Sequence, residues 1–159
     1  MEFDLDYARR VILAEADAIA SMTPIVNGRF VRAAEMLYTC TGSCIVSGIG
    51  KAGLIGRKIS ATLASTGTPS HFLHPAEAVH GDLGRLRRQD VVMILSYGGE
   101  TDEIIRLINL VKQLGIPLIA LTGDEDSTLG RHSDVVLCMG KVNEACPLGV
   151  APSVSTTCM

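Results

Sequence analysis

The chain has 159 residues, of which 47% are hydrophobic and 19% are charged, with a formal net charge of -3. This length is typical of one domain with a buried core, so we expect a single domain over residues 1–159, whose parallel strands are covered on both faces. The charge excludes a basic nucleic-acid surface, and no stretch is apolar enough to cross a membrane, so neither nucleic acid nor membrane is an expected partner.

Two helices are predicted before the first strand. Apolar residues recur at helical spacing from Asp4 to Met22, and Pro24 then interrupts the pattern. A second periodic stretch carries the chain to Gly42. The pair either covers a sheet face or packs against another subunit, and the sequence leaves both open.

Short apolar runs then alternate with helical stretches. The predicted strands are 44–49, 70–73, 91–96, 117–122 and 135–139, and the predicted helices between them are 51–65, 101–114 and 127–132. Repeated strand and helix units require right-handed parallel crossovers. The prediction is therefore an α/β fold with three layers, α-β-α, around a five-stranded parallel sheet, with ligands beyond the carboxyl ends of the strands.

The turn after the first predicted strand, residues 47–53, is rich in glycine. Gly48, Gly50 and Gly53 complete a GxGxxG pattern, and amide groups there can approach an anion at the helix N-terminus. No acidic residue ends a second strand roughly 20 residues on, which disfavours a dinucleotide. Lys51 either directs its ammonium at a ligand or is a solvated lysine at a helix start.

The turn after the third predicted strand reads SYGGETDE at 96–103. Hydroxyls of Ser96 and Thr101, with amides exposed by two glycines, would form a cup for phosphate at a helix N-terminus. In the alternative interpretation Thr101 is simply the N-cap, and the acidic residues complement the helix dipole.

Three histidines lie within HFLHPAEAVHGDLG at 71–84, beside Glu77 and Asp82. We expect no metal site, because the ligands would straddle a strand and a loop without a His-x₃-His pair. A single functional histidine, His80, is the better interpretation. The five cysteines form no CxxC pair, so we expect reduced thiols and, without a signal-like N-terminus, a cytoplasmic protein.

The last motif, NEACPLGVAPSVSTT at 143–157, follows the fifth predicted strand. Glu144 should therefore reach the same edge of the sheet as the glycine turns. The hydroxyl residues 155–157 resemble the start of another helix, which either binds an anion or is only a capping cluster.

These four motifs, in this order and at these intervals, resemble the SIS (sugar isomerase) domain of bacterial arabinose 5-phosphate isomerases. The match covers nearly the whole chain, and its most specific parts are HGDLG at 80–84 and EACPLG at 144–149. The resemblance implies a homotetramer with active sites near subunit contacts. It also implies reversible, cofactor-free interconversion of arabinose 5-phosphate and ribulose 5-phosphate, whose product feeds octulosonate synthesis for lipopolysaccharide.

The resemblance also implies site residues by position. The family's catalytic lysine falls on Lys51, its acidic residues fall on Glu103 and Glu144, and a site histidine falls on His80. Glu144 or Glu103 is the candidate base and Lys51 the electrostatic stabiliser of an enediol, while His80 assists ring opening or substrate placement. The residues implied for substrate and phosphate binding are Ser47, Gly48, Gly50, Ser96, Gly98, Gly99, Glu100, Thr101, Ser155, Thr156 and Thr157.

The sequence departs from the family pattern in three places. Gly98 stands where the family usually has serine, which removes one phosphate-directed hydroxyl, and Tyr97 adds bulk beside it. The chain ends at Met159, where the family's C-terminal helix begins, so a family catalytic histidine has no counterpart by position. The paired CBS domains of many members also have no counterpart. The alternative function is therefore a catalytically weak sugar-phosphate-binding module.

Overall fold

The structure is a computed structural model that describes residues 4–159. Two helices lead the chain, α1 (Leu5–Ser21) and α2 (Gly28–Tyr38), with a short 3₁₀ helix between them (Thr23–Ile25). Asp4 begins α1, because its carboxylate accepts a hydrogen bond from the Tyr7 amide at an N···O distance of 2.8 Å. Pro24 lacks an amide hydrogen, so α1 ends before it. The predicted pair of leading helices is confirmed.

Five parallel strands form one sheet. Their bounds are β1 (Cys44–Gly48), β2 (Ser70–Phe72), β3 (Val91–Leu95), β4 (Leu118–Thr122) and β5 (Val135–Cys138). Each strand begins and ends within one residue of its predicted bounds. The spatial order is β2-β1-β3-β4-β5, with every neighbouring pair parallel. The predicted sheet is confirmed.

The remaining helices connect or follow the strands. They are α3 (Gly50–Ser65), α4 (Pro75–Val79), α5 (Asp102–Leu114), α6 (Thr128–His132) and α7 (Val154–Cys158). The predictions for α3, α5 and α6 are correct to within one residue, and α7 is the helix start expected near Ser155. The sequence pattern does not predict α4 or the 3₁₀ helix Asp82–Arg85, because elements this short show no helical periodicity.

The core lies on both faces of the sheet. On one face, aliphatic side chains of the central strands, such as Ile94 and Leu118, pack against the buried side of α5, for example Leu107. On the other face, Val46 and Ile119 belong to a second buried cluster that includes residues of α2 and α3. This is the predicted three-layer arrangement, with burial of both sheet faces as its main stabilising term.

The strand order places a topological switch point between β1 and β3. The chain runs from β1 through α3 outward to β2, and then returns to β3 on the other side of β1. The turns that leave β1 and β3 therefore diverge, and they open a crevice at the carboxyl edge of the sheet. The candidate site lies at this edge.

Helix α1 packs against α7 but has no fully buried residue. Apolar side chains on its outer side are at least half exposed, including Ile12, Leu13 and Ile19. No helix within residues 4–159 combines the length and the apolar character needed to cross a bilayer.

Candidate functional site

Two helix N-termini open onto the crevice. The N-cap residue of α3 is Ile49 and that of α5 is Thr101, and neither supplies a side-chain hydrogen bond to its helix. The first amide groups of a helix lack intrahelical partners and carry the positive end of its dipole. Both ends can therefore stabilise an anion.

The turn between β1 and α3 brings backbone close to the crevice. Gly50 has a φ of 59°, and the position that a Cβ would occupy is open. This conformation disfavours a side chain, so glycine is required there. The buried Ser47 hydroxyl donates a hydrogen bond to the Leu73 carbonyl at 2.7 Å, which ties the strand end to the segment after β2.

Lys51 lies exposed in the first turn of α3. It lines a cleft of about 440 Å³, the Lys51 cleft, together with Arg57, Phe72, His74 and the neighbouring glycines. Among residues 4–159, no ion pair joins Lys51 to a carboxylate. Its ammonium is therefore available to a ligand.

The turn between β3 and α5 is shaped by its own hydroxyl and glycines. The Ser96 hydroxyl accepts a hydrogen bond from the Gly99 amide at 3.2 Å, which closes the turn. Gly99 has a φ of 67° and packs so closely on Ser127 that a Cβ would collide. Gly98 is exposed and has open space around it. The turn thus presents Thr101 and the first amides of α5.

The Glu100 carboxylate forms its hydrogen bonds with α6, away from the first amides of α5. It accepts hydrogen bonds from the Thr128 amide at 2.6 Å and the Thr128 hydroxyl at 2.8 Å, in the first turn of α6. These bonds hold the pKa of Glu100 below its ordinary value. In this structure the side chain caps α6.

Glu144 lies at the N-terminus of α7, the helix that follows β5. Its Oε2 accepts the Ser153 and Val154 amides at 2.8 Å each and the Ser153 hydroxyl at 3.3 Å. Its Oε1 accepts only the Ser155 amide, at 3.3 Å. One carboxylate oxygen is therefore anchored, whereas the other retains capacity to accept a proton.

The environment keeps Glu144 ionised. Partial burial by itself raises the pKa of Glu144, but hydrogen bonds from the Ser153, Ser155 and Val154 amides outweigh it. The pKa consequently lies below its ordinary value. At neutral pH the group is a carboxylate without a proton.

The hydroxyl residues of α7 mostly face their own backbone. The Thr156 and Thr157 hydroxyls donate to the Ser153 carbonyl at 2.7 and 3.1 Å, and Ser155 is buried. The amides that would bind an anion at this helix start are those that hold Glu144. The role of these three hydroxyl residues in phosphate binding stays a prediction.

Two further predicted site residues lie at helix ends. Glu103 is half-buried in the first turn of α5, and His80 is the exposed C-cap of α4. Neither side chain forms a hydrogen bond to another group in the described part of the chain. Lys51 and the glycine turns thus share one edge of the sheet with Glu144, while within residues 4–159 no hydrogen bond or ion pair links the candidate catalytic side chains to one another.

Sequence reasoning missed two residues of the Lys51 cleft. The Arg57 guanidinium lies 4.3 Å from the centre of the Phe72 ring, a cation–π contact that holds it at the cleft. His74 lines the same cleft, and its Nδ1 accepts the Ala76 amide at 3.3 Å as the N-cap of α4. The His-Pro pair before a short helix could have identified His74 as a cap.

No group of three or more potential metal-ligating side chains capable of holding an ion occurs in the range 4–159. A parallel sheet with glycine turns and open helix N-termini at its switch point is suited to binding small phosphorylated ligands.

The SIS domain family model matches residues 36–159, and the chain belongs to the SIS domain family. It is 49% identical over 156 residues to the arabinose 5-phosphate isomerase KdsD of Escherichia coli K12. That alignment covers 98% of this chain and 48% of the relative. This chain is 48% identical over 160 residues to the Pseudomonas aeruginosa protein of the same name, covering 99% and 49% of the two chains. The chain spans about half the length of the curated relatives it matches.

Solved structures agree with the predicted fold. A candidate phosphosugar isomerase involved in capsule formation from Bacteroides fragilis superposes with a TM-score of 0.92 at 39% identity, covering 97% of this chain and 82% of that one. An Escherichia coli CFT073 protein in complex with arabinose 5-phosphate superposes with a TM-score of 0.85 at 36% identity, covering 98% and 85%. The predicted family resemblance is confirmed.

Proposed function

We propose that the chain is an aldose–ketose isomerase that interconverts D-arabinose 5-phosphate and D-ribulose 5-phosphate through an enediol. The observation that carries this proposal is the pair of uncapped helix N-termini at the switch point, beside Lys51, which forms no ion pair with any described residue from 4 to 159. The names of the relatives from Escherichia coli and Pseudomonas aeruginosa, and the arabinose 5-phosphate complex of a structural neighbour, support the same substrate class.

The phosphate is proposed to bind at the turn 96–101. The Thr101 hydroxyl and the first amides of α5 supply donors there, and the helix dipole adds favourable potential. Ser47, Gly48 and Gly50 shape the opposite turn, whose backbone would approach the sugar. Glu100 is proposed to support the turn 96–101 through its bonds to Thr128, and residues 155–157 are proposed to support the start of α7 that holds Glu144.

Glu144 is proposed as the base. Its anchored Oε2 fixes the carboxylate, and Oε1 would take the proton from C2 of the open-chain aldose and return it to C1. Lys51 would stabilise the negative charge that develops on the carbonyl oxygen. Glu103 would move a proton between O1 and O2, and His80 would assist ring opening or substrate placement.

The test is turnover of ribulose 5-phosphate to arabinose 5-phosphate, followed by NMR. The wild-type chain should produce the aldose, and Glu144→Gln should lower kcat by about 100-fold or more, the usual contribution of a general base. Glu35→Gln, an exposed glutamate on α2, is the matched control and should keep full activity. Full activity of Glu144→Gln would remove Glu144 from the base role, and Glu103→Gln would then test the other carboxylate.

A second candidate function is a sugar-phosphate-binding module with little catalysis. The observation that favours it is the use of Glu144 as a cap for α7, a purely structural role for a carboxylate. A thermal-shift titration separates the two functions. Stabilisation by ribulose 5-phosphate without product formation would favour the binding module.

A homotetramer is proposed as the assembled state. The support is the outer side of α1, where Ile12 is 69%, Leu13 63% and Ile19 50% exposed. Such a face is typical of contacts between copies of a chain. Light scattering should give four times the chain mass, and Ile12→Lys should reduce it. A monomer at micromolar concentration would contradict the assignment.

A cytoplasmic location is also proposed. All five cysteines are unpaired, which suits a reducing compartment. Fractionation of cells that produce the protein should recover it with cytoplasmic markers.

A further inference from the structure

The segment that carries Glu144 has little backbone support of its own. Residues 139–153 form neither helix nor strand. Its backbone is bonded to β4 at Met139, whose amide donates to the Thr122 carbonyl at 2.9 Å, and to itself at Gly149, whose amide donates to the Cys146 carbonyl at 3.0 Å. Between these two points, the backbone near Glu144 is held by side chains.

Two tyrosine hydroxyls supply this support on either side of Glu144. The Tyr97 hydroxyl accepts a hydrogen bond from the Val142 amide at 2.9 Å, two residues before Glu144. The Tyr7 hydroxyl donates to the Ala145 carbonyl at 2.6 Å, one residue after it. The two bonds therefore fix the backbone on both sides of the carboxylate.

Tyr97 is itself rigidly placed. Its carbonyl accepts hydrogen bonds from the Gly123 amide at 2.9 Å and the Thr122 hydroxyl at 3.1 Å. Its ring lies so close to Gly123 that a Cβ there would come within 2.5 Å of it. Because Tyr97 belongs to the turn proposed to bind phosphate, its hydroxyl joins that turn to the segment of Glu144.

Tyr7 performs the corresponding function from the outer layer. It is half-buried on α1, and the helix packs against α7, whose N-terminus holds the Glu144 carboxylate. The Tyr7 bond spans 138 residues of sequence, so it ties the beginning of the chain to the candidate site. Tyr7 is one of the few partly buried residues of α1, most of which is exposed.

We propose that Tyr7 and Tyr97 are positioning residues that together hold Glu144 in its reactive orientation. This role rests on the proposed function, in which Glu144 is the base. A base acts efficiently only when its oxygen is held within a fraction of an ångström of the productive position. Loss of either hydroxyl would leave the ring packing intact and loosen only the segment around Glu144.

The test uses tyrosine-to-phenylalanine variants of the whole chain. The third tyrosine, Tyr38, is 91% exposed, so Tyr38→Phe is the matched control. Tyr7→Phe and Tyr97→Phe should each lower kcat by about 3- to 10-fold, the effect of one lost hydrogen bond, with KM within about twofold of wild type for Tyr7→Phe. Tyr38→Phe should match the wild type in both parameters.

Hydrogen exchange gives a second measurement that does not need turnover. Amides of residues 140–146 should exchange faster in Tyr7→Phe and Tyr97→Phe, and at the wild-type rate in Tyr38→Phe. Unchanged kcat in both variants, or unchanged exchange in this segment, would overturn the proposal. If the wild-type chain shows no turnover, the isomerase assignment fails, and the exchange data alone decide whether the two hydroxyls hold the segment.

Discussion

Substitution of Glu144 by glutamine should destabilise the protein as well as reduce its activity. The carboxylate accepts four hydrogen bonds at the start of α7. Hydrogen bonds to a charged group contribute about 1.5–3 kcal/mol and neutral ones about 1 kcal/mol, and a charge at a helix N-terminus adds about 0.3–1 kcal/mol. Glutamine keeps one accepting oxygen, so we expect the free energy of unfolding to fall by about 2 kcal/mol.

The pH dependence of this loss identifies its cause. The pKa of Glu144 is lower in the folded protein than its ordinary value of 4.5. The charge therefore stabilises the fold fully above pH 4.5, and this contribution is lost as the pH falls through the lower folded-state pKa. The difference in unfolding free energy between wild type and Glu144→Gln should accordingly be constant near neutral pH and shrink in acid.

Urea unfolding followed by circular dichroism, at several pH values from about 7 down to about 3, measures the difference. Glu35→Gln, which changes an exposed glutamate on α2, should match the wild type at every pH. Equal unfolding free energies for wild type and Glu144→Gln at neutral pH would refute the assigned cap. A difference that grows on acidification would refute the assigned direction of the pKa shift.

Three further predictions concern Gly98, Gly123 and two of the cysteines. Gly98→Ser should lower the dissociation constant for ribulose 5-phosphate by about 10-fold in calorimetry, because the open space at Gly98 admits a hydroxyl that can donate a hydrogen bond to phosphate. An unchanged dissociation constant would show that phosphate binds elsewhere. Gly123→Ala should lower the free energy of unfolding by about 1–3 kcal/mol, since its Cβ would press on the Tyr97 ring, and a stability equal to wild type would contradict that packing. Iodoacetamide should alkylate Cys146 before Cys44 in a time course followed by mass spectrometry. Hydrogen bonds from the amides of residues 148–151 lower the pKa of Cys146, whereas burial raises the pKa of Cys44 to about 12. Faster labelling of Cys44 would contradict both assignments.

Most of the sheet could be predicted because four strands, β1, β3, β4 and β5, are short apolar runs that end within two residues of a glycine or hydroxyl residue. The short strand β2, Ser-His-Phe, lacks such a run. β3, for example, is fully buried from Val91 to Leu95, and the next buried residue is the hydroxyl-bearing Ser96. Runs this short, bounded by turn residues, favour a strand that is covered on both faces. The same reasoning placed the glycine turns and Glu144 at one edge, because parallel strands share their carboxyl ends.

The contacts inside the site could not be predicted in this way. Glu144 binds amides that lie nine to eleven residues further along an irregular segment, and Tyr7 binds a carbonyl 138 residues away. Neither pairing leaves a periodic signal in the sequence. The sequence favours His80 over His74 for a related reason, since α4 is too short to reveal which histidine faces the Lys51 cleft.

The N-termini of α3, α5 and α7 differ in charge, and this difference gives the crevice a direction. The N-termini of α3 and α5 attract negative charge, whereas the N-terminus of α7 is already neutralised by the chain's own carboxylate. A doubly charged phosphoryl group would be repelled from the start of α7 and drawn to the starts of α3 and α5. Under the proposed function, a phosphorylated pentose would therefore enter in one direction, with its uncharged aldehyde end turned toward Glu144, before any specific contact to its hydroxyl groups had formed.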